Sequence, residues 1–232
     1  MSTVIDLHVH TTHGSSDSSL TPEAMIIEAK RIGLEAICIT EHNTLWDKVK
    51  FREFAYKHDI LLIRGVEVDT DMGHVLAFGL DEYISGISKI QELRRIILEI
   101  GGAMITAHPF RGLLDKRPNS WPLLYESSQN VTNDIDQAAG HPIFGFVDAV
   151  EVANGSTVDA ENRFAFRVSE KVRLGGTGGS DAHSSHGLGR CTTIFQKTIR
   201  SEKEFVEALK TGNFYASYGL RVGKVRPFKS SI

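Results

Sequence analysis

Short runs rich in valine and isoleucine alternate along this chain with longer segments of helical periodicity, and this alternation is the feature that most constrains the fold. The runs that predict strands cover residues 4–7, 36–39, 61–66, 103–106, 146–150 and 174–178. Helical periodicity covers residues 46–58, 88–100 and 158–171. Strands that alternate with helices typically build parallel βαβ units, so the sequence predicts an α/β fold around a parallel sheet.

A further helix is predicted directly after the first strand, with well-defined ends. Thr21 is a suitable N-cap, Pro22 suits the first helical position, and Gly33 is suited to the left-handed conformation that ends a helix. Later in the chain, "MGHVLAFG" after Glu67 predicts an extra hairpin strand, and "RSEKEFVEALKTG" predicts a helix that ends at Gly212.

We expect the chain to form one domain, residues 1–232, because nothing in its middle reads as a linker and single α/β barrels commonly reach this length. Residues 111–140 lack clean periodicity and contain "RPNSWP". They are therefore predicted to form an insertion over one end of the barrel.

Charge and cysteine content narrow the range of partners. The formal net charge of -3 gives no general attraction to nucleic acid or anionic lipid, so a small phosphorylated substrate is expected rather than an extended nucleic acid. Cys38 and Cys191 lie in apolar surroundings without a multi-cysteine framework, which favours a reducing compartment. Neither a signal-like start nor a run of membrane-spanning length is present in the sequence, so we predict a cytoplasmic protein without a membrane partner.

The fragment "DLHVHT" places two histidines, His8 and His10, at the end of the first predicted strand. Residues two apart in a strand face the same side, so both imidazoles are directed to one point. This is a metal-ligand geometry, although an isolated H-x-H pair is weak evidence for a metal site.

Later strands repeat the arrangement, because each is followed by a residue type that binds metal ions. The residues at these strand ends are His42, Glu67, His108, Glu151, Asp181 and His183. The carboxyl ends of parallel strands meet at one rim of an α/β barrel, so residues far apart in the chain are expected to converge there. Chance placement of so many potential ligands is improbable.

Five motifs in this order, "DLHVHT", "TEHN", "GVEV", "AHP" and "GSDAHS", resemble the metal-binding motifs of the PHP (polymerase and histidinol phosphatase) superfamily. The resemblance extends from Asp6 to about Arg190. It implies a distorted (β/α)7 TIM-like barrel with a centre of two or three metal ions that hydrolyses phosphoesters. Candidate substrates include histidinol phosphate and nucleotides.

Carried over residue by residue, the resemblance implies three groups of ligands. The first metal would be held by His8, His10, Glu67 and Asp181, and the second by Glu67, His74 and His108. The third would be held by Asp17, His42 and His183. The sequence departs from the family's usual "TDH" at Glu41, where the longer side chain is expected to take over the role of orienting a ring nitrogen.

The residue types fit the chemistry of phosphoester hydrolysis. Two metals roughly 3.5 to 4 Å apart supply an activated hydroxide and compensate charge on the phosphoryl oxygens, and a bridging carboxylate such as Glu67 sets that separation. Mixed imidazole and carboxylate ligands favour Zn, Mn or Fe over Mg. Arg111 and Arg190 are predicted to grip the phosphate, and His186 is a candidate proton-transfer group.

Two other functions are compatible with parts of the pattern. An amidohydrolase-type enzyme also opens with H-x-H on a barrel strand, but it usually needs a metal-bridging lysine where this chain has Glu67. A barrel that binds metal or a nucleotide as a regulatory module, without turnover, is disfavoured by the nearly complete ligand set. The leading prediction is a metal-dependent phosphoesterase.

Overall fold

The computed structural model describes residues 2–84, 86–114, 121–125 and 128–229. The strands are β1 (Thr3–Val9), β2 (Ala36–His42), β3 (Leu61–Thr70), β4 (Gly73–Phe78), β5 (Ala103–Thr106), β6 (Ala149–Asn154), β7 (Gly175–Gly179), β8 (Cys191–Phe195), β9 (Phe214–Tyr218) and β10 (Arg226–Pro227). The helices are α1 (Pro22–Ile32), α2 (Lys48–His58), α3 (Ile90–Glu99), α4 (Ile135–Ala139), α5 (Asp159–Val172) and α6 (Glu202–Thr211).

Within the described ranges the strands form one sheet in the order β10-β9-β8-β1-β2-β3-β4-β5-β6-β7. The pairs β1–β2, β2–β3, β5–β6 and β6–β7 are parallel. The remaining pairs, which involve β4, β8, β9 and β10, are antiparallel. The predicted α/β fold is confirmed, whereas the distorted (β/α)7 TIM-like barrel stays a prediction.

The sheet curls, so that the chain after β7 returns to β1. Asp181 N donates to His8 O at 2.7 Å, and His10 N donates to Ala182 O at 3.0 Å. The buried Asp6 strengthens the junction because its carboxylate accepts from Ser180 N at 2.8 Å and from Gly189 N at 2.9 Å. This curl brings the ends of the first and last parallel strands together.

Apolar side chains on the two faces of the sheet belong to different clusters. Ala36 and Cys38 of β2 pack in a buried cluster with Phe205 of α6. Ile37 and Ile39, the alternate residues of the same strand, pack in a cluster that includes residues of α1 and α2. Successive residues of β2 thus face opposite sides of the sheet, and both sides are buried, as the valine- and isoleucine-rich runs predict.

The ends of α1 are those predicted. Thr21 Oγ1 accepts from Ala24 N at 3.2 Å, Pro22 is the first helical residue, and Gly33 has φ 77°. Helix α2 begins two residues later than predicted, because Asp47 accepts from both Val49 N and Lys50 N as its N-cap. Gly212, with φ 71°, ends the predicted late helix α6.

One predicted strand is wrong at its start. Residues 146–148 were predicted to belong to this strand but lie before it. A 3-10 turn covers Pro142–Gly145, and Phe146 N donates to Ile143 O at 2.9 Å. His141 caps this turn by accepting from Ile143 N through its ring at 3.2 Å. The strand therefore starts later, at Ala149.

The predicted hairpin strand after Glu67 is present as β4, which pairs antiparallel with both β3 and β5. In the predicted insertion, residues 115–120 and 126–127 lie outside the described residues, and the rest includes the short helix α4. That the chain is one domain with an insertion stays a prediction. None of the helices in the described ranges is long and apolar enough to cross a membrane.

Candidate metal centre

The predicted ligands gather at one edge of the sheet, where parallel strands end. His8 is the second-last residue of β1, and His10 directly follows that strand. His42 is the last residue of β2, and His108 and Asp181 each lie two residues after a strand. Because β4 runs antiparallel to β3, its second residue, His74, lies at the same edge.

Glu67 of β3 lies at the centre of the cluster. Its Oε2 atom lies 3.3 Å from the Nε2 atoms of both His8 and His10, and 3.1 Å from Nδ1 of His42. The side chain is buried. One carboxylate therefore contacts rings from three segments of the chain on one side.

The other oxygen of Glu67 reaches the far side of the cluster. Its Oε1 atom lies 2.9 Å from His74 Nδ1 and 2.9 Å from His108 Nε2. The second ring nitrogen of His74 faces Asp69 Oδ1 at 3.2 Å. The two oxygens of Glu67 thus face two sets of imidazoles, as a bridging carboxylate requires.

Asp181 closes the cluster opposite Glu67. Its Oδ1 atom lies 3.3 Å from His10 Nε2, 3.6 Å from His8 Nε2 and 3.7 Å from His183 Nδ1. The rings of His8 and His10 are thereby enclosed between two carboxylates.

The third predicted group forms the exposed side of the cluster. Asp17 Oδ2 lies 3.2 Å from His183 Nε2 and 3.5 Å from His42 Nε2. The ring of His10 stacks between those of His42 and His183, with centroids 4.2 and 4.3 Å away. Asp17 is 58% exposed, so this side of the cluster is open to solvent.

Several buried atoms of the cluster have no hydrogen-bond partner among the described residues, and all belong to predicted ligands. These atoms are His8 Nε2, His10 Nε2, Glu67 Oε2 and His183 Nε2. Three triads also place their ligand atoms within 4.8 Å of one another: His8, His10 and Asp181; His8, Glu67 and His108; and His10, His42 and His183. Buried polar atoms are rarely left unpaired, so a set that faces one small region fits divalent cations.

Two of the rings are held so that Nε2 points inward with its lone pair. His8 Nδ1 lies 3.1 Å from Glu151 Oε1, and His10 Nδ1 lies 3.2 Å from Ser15 Oγ. An oxygen acceptor at Nδ1 fixes the proton there and leaves Nε2 free to bind a metal. The strand-end position of Glu151 predicted a potential metal ligand, and the structure places its carboxylate against His8 Nδ1. Nothing in the sequence around Ser15 indicated that it would support the cluster.

Glu41 supports the ring of His10 indirectly, through Ser15. Its carboxylate accepts from Ser15 Oγ at 2.6 Å, from Thr11 N at 2.9 Å and from Trp46 Nε1 at 3.0 Å. The expected orienting role of Glu41 runs through Ser15, which lies between Glu41 and His10. Because the Ser15 hydroxyl donates to Glu41, its oxygen is left to accept from the His10 ring.

The charges of the cluster are strongly coupled. Burial opposes ionisation of Glu67 and Asp181, yet the neighbouring imidazoles, His8 foremost, hold the pKa of both carboxyls well below the usual range. Burial likewise opposes a charge on His8, but Glu67, Asp181 and Glu151 raise its pKa well above the ordinary value. The buried carboxylates therefore favour positive charge at this position.

The backbone is strained at two of the predicted ligands. His108 has φ 30° and Asp181 has φ 51°, a conformation that residues with a Cβ rarely adopt. Gly179 provides room for His8 and Glu151, since a Cβ there would lie 2.5 Å from His8 Cβ and 2.6 Å from Glu151 Oε1. Strain of this kind concentrates at functional sites.

The three residues predicted to act on the substrate lie in different places. Arg111 contacts Asp181 and is held by Asn154 Oδ1 at 2.8 Å and Thr157 Oγ1 at 3.0 Å, so it borders the cluster. Arg190 is exposed and lines a cavity beside Asn154. His186 is also exposed and makes no side-chain hydrogen bond with a described residue. The structure brings Arg111, but neither of the other two, into contact with a predicted ligand.

Comparisons with known families and proteins agree with this geometry. The PHP domain family matches residues 6–141, and the family described as PHP-associated matches residues 159–214. A protein of Methanocaldococcus jannaschii, itself described as uncharacterized, is 30% identical over 115 residues, which are 45% of this chain and 67% of that one.

Solved structures share the fold. A two-domain protein from Bacteroides vulgatus containing a predicted PHP-like metal-dependent phosphoesterase matches with a TM-score of 0.64 and 24% identity, over 94% of this chain and 65% of that one. The lesion-specific endonuclease EndoQ from Pyrococcus furiosus matches with a TM-score of 0.56 and 17% identity, over 91% of this chain and 56% of that one. The chain thus spans less than two thirds of each of these two structures.

Proposed function

The chain belongs to the PHP domain family, and from this premise we propose that it is a metal-dependent hydrolase of phosphate esters. The proposal rests on one observation: ligand atoms from separate strands converge on one region, with buried nitrogen and oxygen atoms left unpaired there. Mixed imidazole and carboxylate donors suit Zn, Mn or Fe. Two or three such ions are proposed as the cofactors.

The proposed ligand groups are those the family resemblance implies. The first is His8, His10, Glu67 and Asp181, the second is Glu67, His74 and His108, and the third is Asp17, His42 and His183. His8 is close enough to Glu67 and His108 to belong to the second group as well. His74 is supported by its contact with Glu67 Oε1, although its other nitrogen faces Asp69.

Bound divalent cations would supply a nucleophilic hydroxide at neutral pH and stabilise negative charge on the phosphoryl oxygens. The residues of the chain have separate tasks. Glu67 holds two sets of ligands at a fixed separation, and Asp181 supports the first of them. Glu151 and Ser15 keep the protons of His8 and His10 on Nδ1.

Arg111 is proposed to bind the phosphate of the substrate. Its guanidinium is anchored by Asn154 and Thr157, remains partly exposed at the edge of the cluster, and offers planar donors that match two phosphoryl oxygens. A cation held by Asp181 would compensate the carboxylate charge and would free part of the Arg111 guanidinium for the substrate. The substrate would enter on the open side, beside Asp17 and His183.

Substitution of Asp181 by Asn tests the proposal. The metal-loaded variant should lose at least 100-fold in hydrolysis of an aryl phosphate and should retain less metal by elemental analysis. Asp136→Asn is the matched control, since Asp136 is exposed and lies outside the cluster. Full activity in Asp181→Asn, or an equal loss in the control, would refute the assignment.

A small phosphorylated substrate is proposed, with the choice between a phosphomonoester and a phosphodiester decided by experiment. EndoQ, which shares the fold, is an endonuclease, so the panel includes a short oligonucleotide beside monoesters and a dinucleotide. Each is assayed with Mn²⁺, Zn²⁺ and Fe²⁺ in turn. Turnover of the oligonucleotide but of no small ester would contradict the proposed substrate class.

A further inference from the structure

A cavity of about 730 Å³ lies directly behind the wall of the metal centre. Asn154 and Thr157 line it, and these are the two residues that hold the Arg111 guanidinium. Asn154 is buried, and its Nδ2 atom also lies 3.4 Å from Asp181 Oδ2. The cavity is therefore separated from the metal cluster by a single side chain, yet it contains none of the predicted metal ligands.

The lining carries an excess of positive charge, in contrast to the chain's net charge of -3. Its basic residues are Arg163, Arg190, Arg226 and Lys229, and its one acidic residue is Asp159. Asp159 pairs with Arg163 at 3.6 Å, whereas the other three basic side chains form no ion pair with any residue that the structure describes. Three cations thus face one concave surface without a counter-charge among the described residues.

The same cavity presents two aromatic rings. Tyr218 is 42% exposed, and its ring centroid lies 6.4 Å from that of Phe228 in an edge-to-face arrangement. Phe228 is partly buried against Phe166, with centroids 6.0 Å apart, which fixes its position. A partly exposed aromatic ring beside arginine side chains is a suitable surface for a planar group to stack on.

Pairing of the last strands builds this arrangement. Cys191 of β8 pairs with Tyr218 of β9, and Tyr218 pairs with Arg226 of β10. Arg190 directly precedes Cys191, and it lines the same cavity as Tyr218 and Arg226. The pairing of these strands explains why Arg190 lines the cavity.

We propose that this cavity binds a small phosphate-bearing molecule with a planar ring, of the nucleoside monophosphate type, independently of the metal ions. Arginine and lysine side chains bind the phosphate through charge-assisted hydrogen bonds, and Tyr218 stacks on the ring. The volume suits a ligand of this size, since small-molecule sites usually enclose about 300 to 1,000 Å³.

The test is calorimetric titration of the full chain after removal of divalent metals with EDTA, so that the metal centre contributes no cation. The titrants are AMP, adenosine, ribose 5-phosphate and inorganic phosphate. AMP should bind at least tenfold more tightly than adenosine, which lacks the anion, and than ribose 5-phosphate, which lacks the ring. Equal affinities for AMP and inorganic phosphate would overturn the assignment of the aromatic surface.

Variants locate the binding. The double change Arg226→Ala and Lys229→Ala should weaken AMP at least tenfold, whereas Lys224→Ala, an exposed neighbour outside the lining, should leave it unchanged. Tyr218→Ala should weaken AMP but not ribose 5-phosphate. Circular dichroism checks that each variant is folded.

Two results would overturn the proposal. One is an absence of measurable AMP binding at millimolar concentration. The other is AMP binding that survives the double change but is lost in Asp181→Asn, because the ligand would then occupy the metal centre. Failure of the metal-dependent hydrolysis leaves this titration unaffected, so the two proposals are tested separately.

Discussion

Glu151 offers the sharpest test of how the cluster is prepared for metal ions. Its Oε1 atom accepts from His8 Nδ1 at 3.1 Å, while Oε2 accepts from His108 N at 2.8 Å and from Asn154 Nδ2 at 3.0 Å. All three groups are donors, and the carboxylate is 1% exposed. Substitution by Gln keeps the shape but replaces one accepting oxygen with a donating NH2 group.

The structure indicates which contact is lost. The amide oxygen of Glu151→Gln is expected to face His108 N and Asn154 Nδ2, because that orientation keeps two hydrogen bonds. The NH2 group then faces His8 Nδ1, which must become an acceptor, so the ring proton moves to Nε2. A protonated Nε2 atom cannot bind a cation, and it points at Glu67 and Asp181.

The expected loss is 10- to 100-fold in metal affinity, the usual cost of losing a residue that orients a metal-binding histidine. This corresponds to about 1.4 to 2.8 kcal/mol. The assay is competition of the metal-free protein with a chromogenic chelator for Zn²⁺ and for Mn²⁺. Glu92→Gln is the matched control, since Glu92 is exposed on α3 and pairs with Arg95.

An unchanged affinity in a folded Glu151→Gln protein would refute the reasoning, since it would mean that the His8 proton does not depend on this carboxylate. A loss of the same size in Glu92→Gln would show that the effect is a general result of reduced negative charge.

Two further predictions follow from the packing and the unpaired atoms. Gly179→Ala should destabilise the fold by about 1 to 3 kcal/mol, as overpacking usually does, because the new Cβ would lie 2.5 Å from His8 Cβ. Gly145→Ala, where a Cβ meets nothing within 4 Å, is the control, and equal urea-unfolding midpoints would contradict the expectation. Addition of Mn²⁺ or Zn²⁺ to the EDTA-treated protein should raise the melting temperature, with about 2.7 kcal/mol gained at 100 times Kd. A flat response at millimolar metal, or the same rise in Glu67→Gln, would argue against a metal site built on Glu67.

The sequence predicted the position of the cluster because position depends on strand ends. Once Val- and Ile-rich runs identify strands, His42 and Glu67 must lie at the edge where parallel strands terminate. The curl of the sheet, which the α/β pattern implies, then brings His8, His10 and Asp181 to the same edge. The prediction for His74 depended on the hairpin strand, and β4 is present in the structure.

Ring orientation could not be predicted in the same way. The proton on His10 Nδ1 depends on Ser15, a loop residue whose position is set by its own hydrogen bond to Glu41. The position of Arg190 depends on the antiparallel pairing of β8, β9 and β10, and no strand was predicted in this part of the sequence. In both cases the deciding contact joins segments that local sequence patterns do not relate.

The departure from the family pattern at Glu41 illustrates how a local change is accommodated. A longer acidic side chain needs space and donors, and both are supplied nearby. Gly14 provides the space, since a Cβ there would lie 2.7 Å from Glu41 Cγ. Ser15 and Trp46 provide donors, so the buried carboxylate is well paired. A side chain at position 14 would force Glu41 or Thr44 to shift, and a shift of Glu41 would disturb its contact with Ser15. The longer side chain at position 41 and the glycine at position 14 therefore form one structural unit, whose effect reaches the metal centre through a single hydroxyl group.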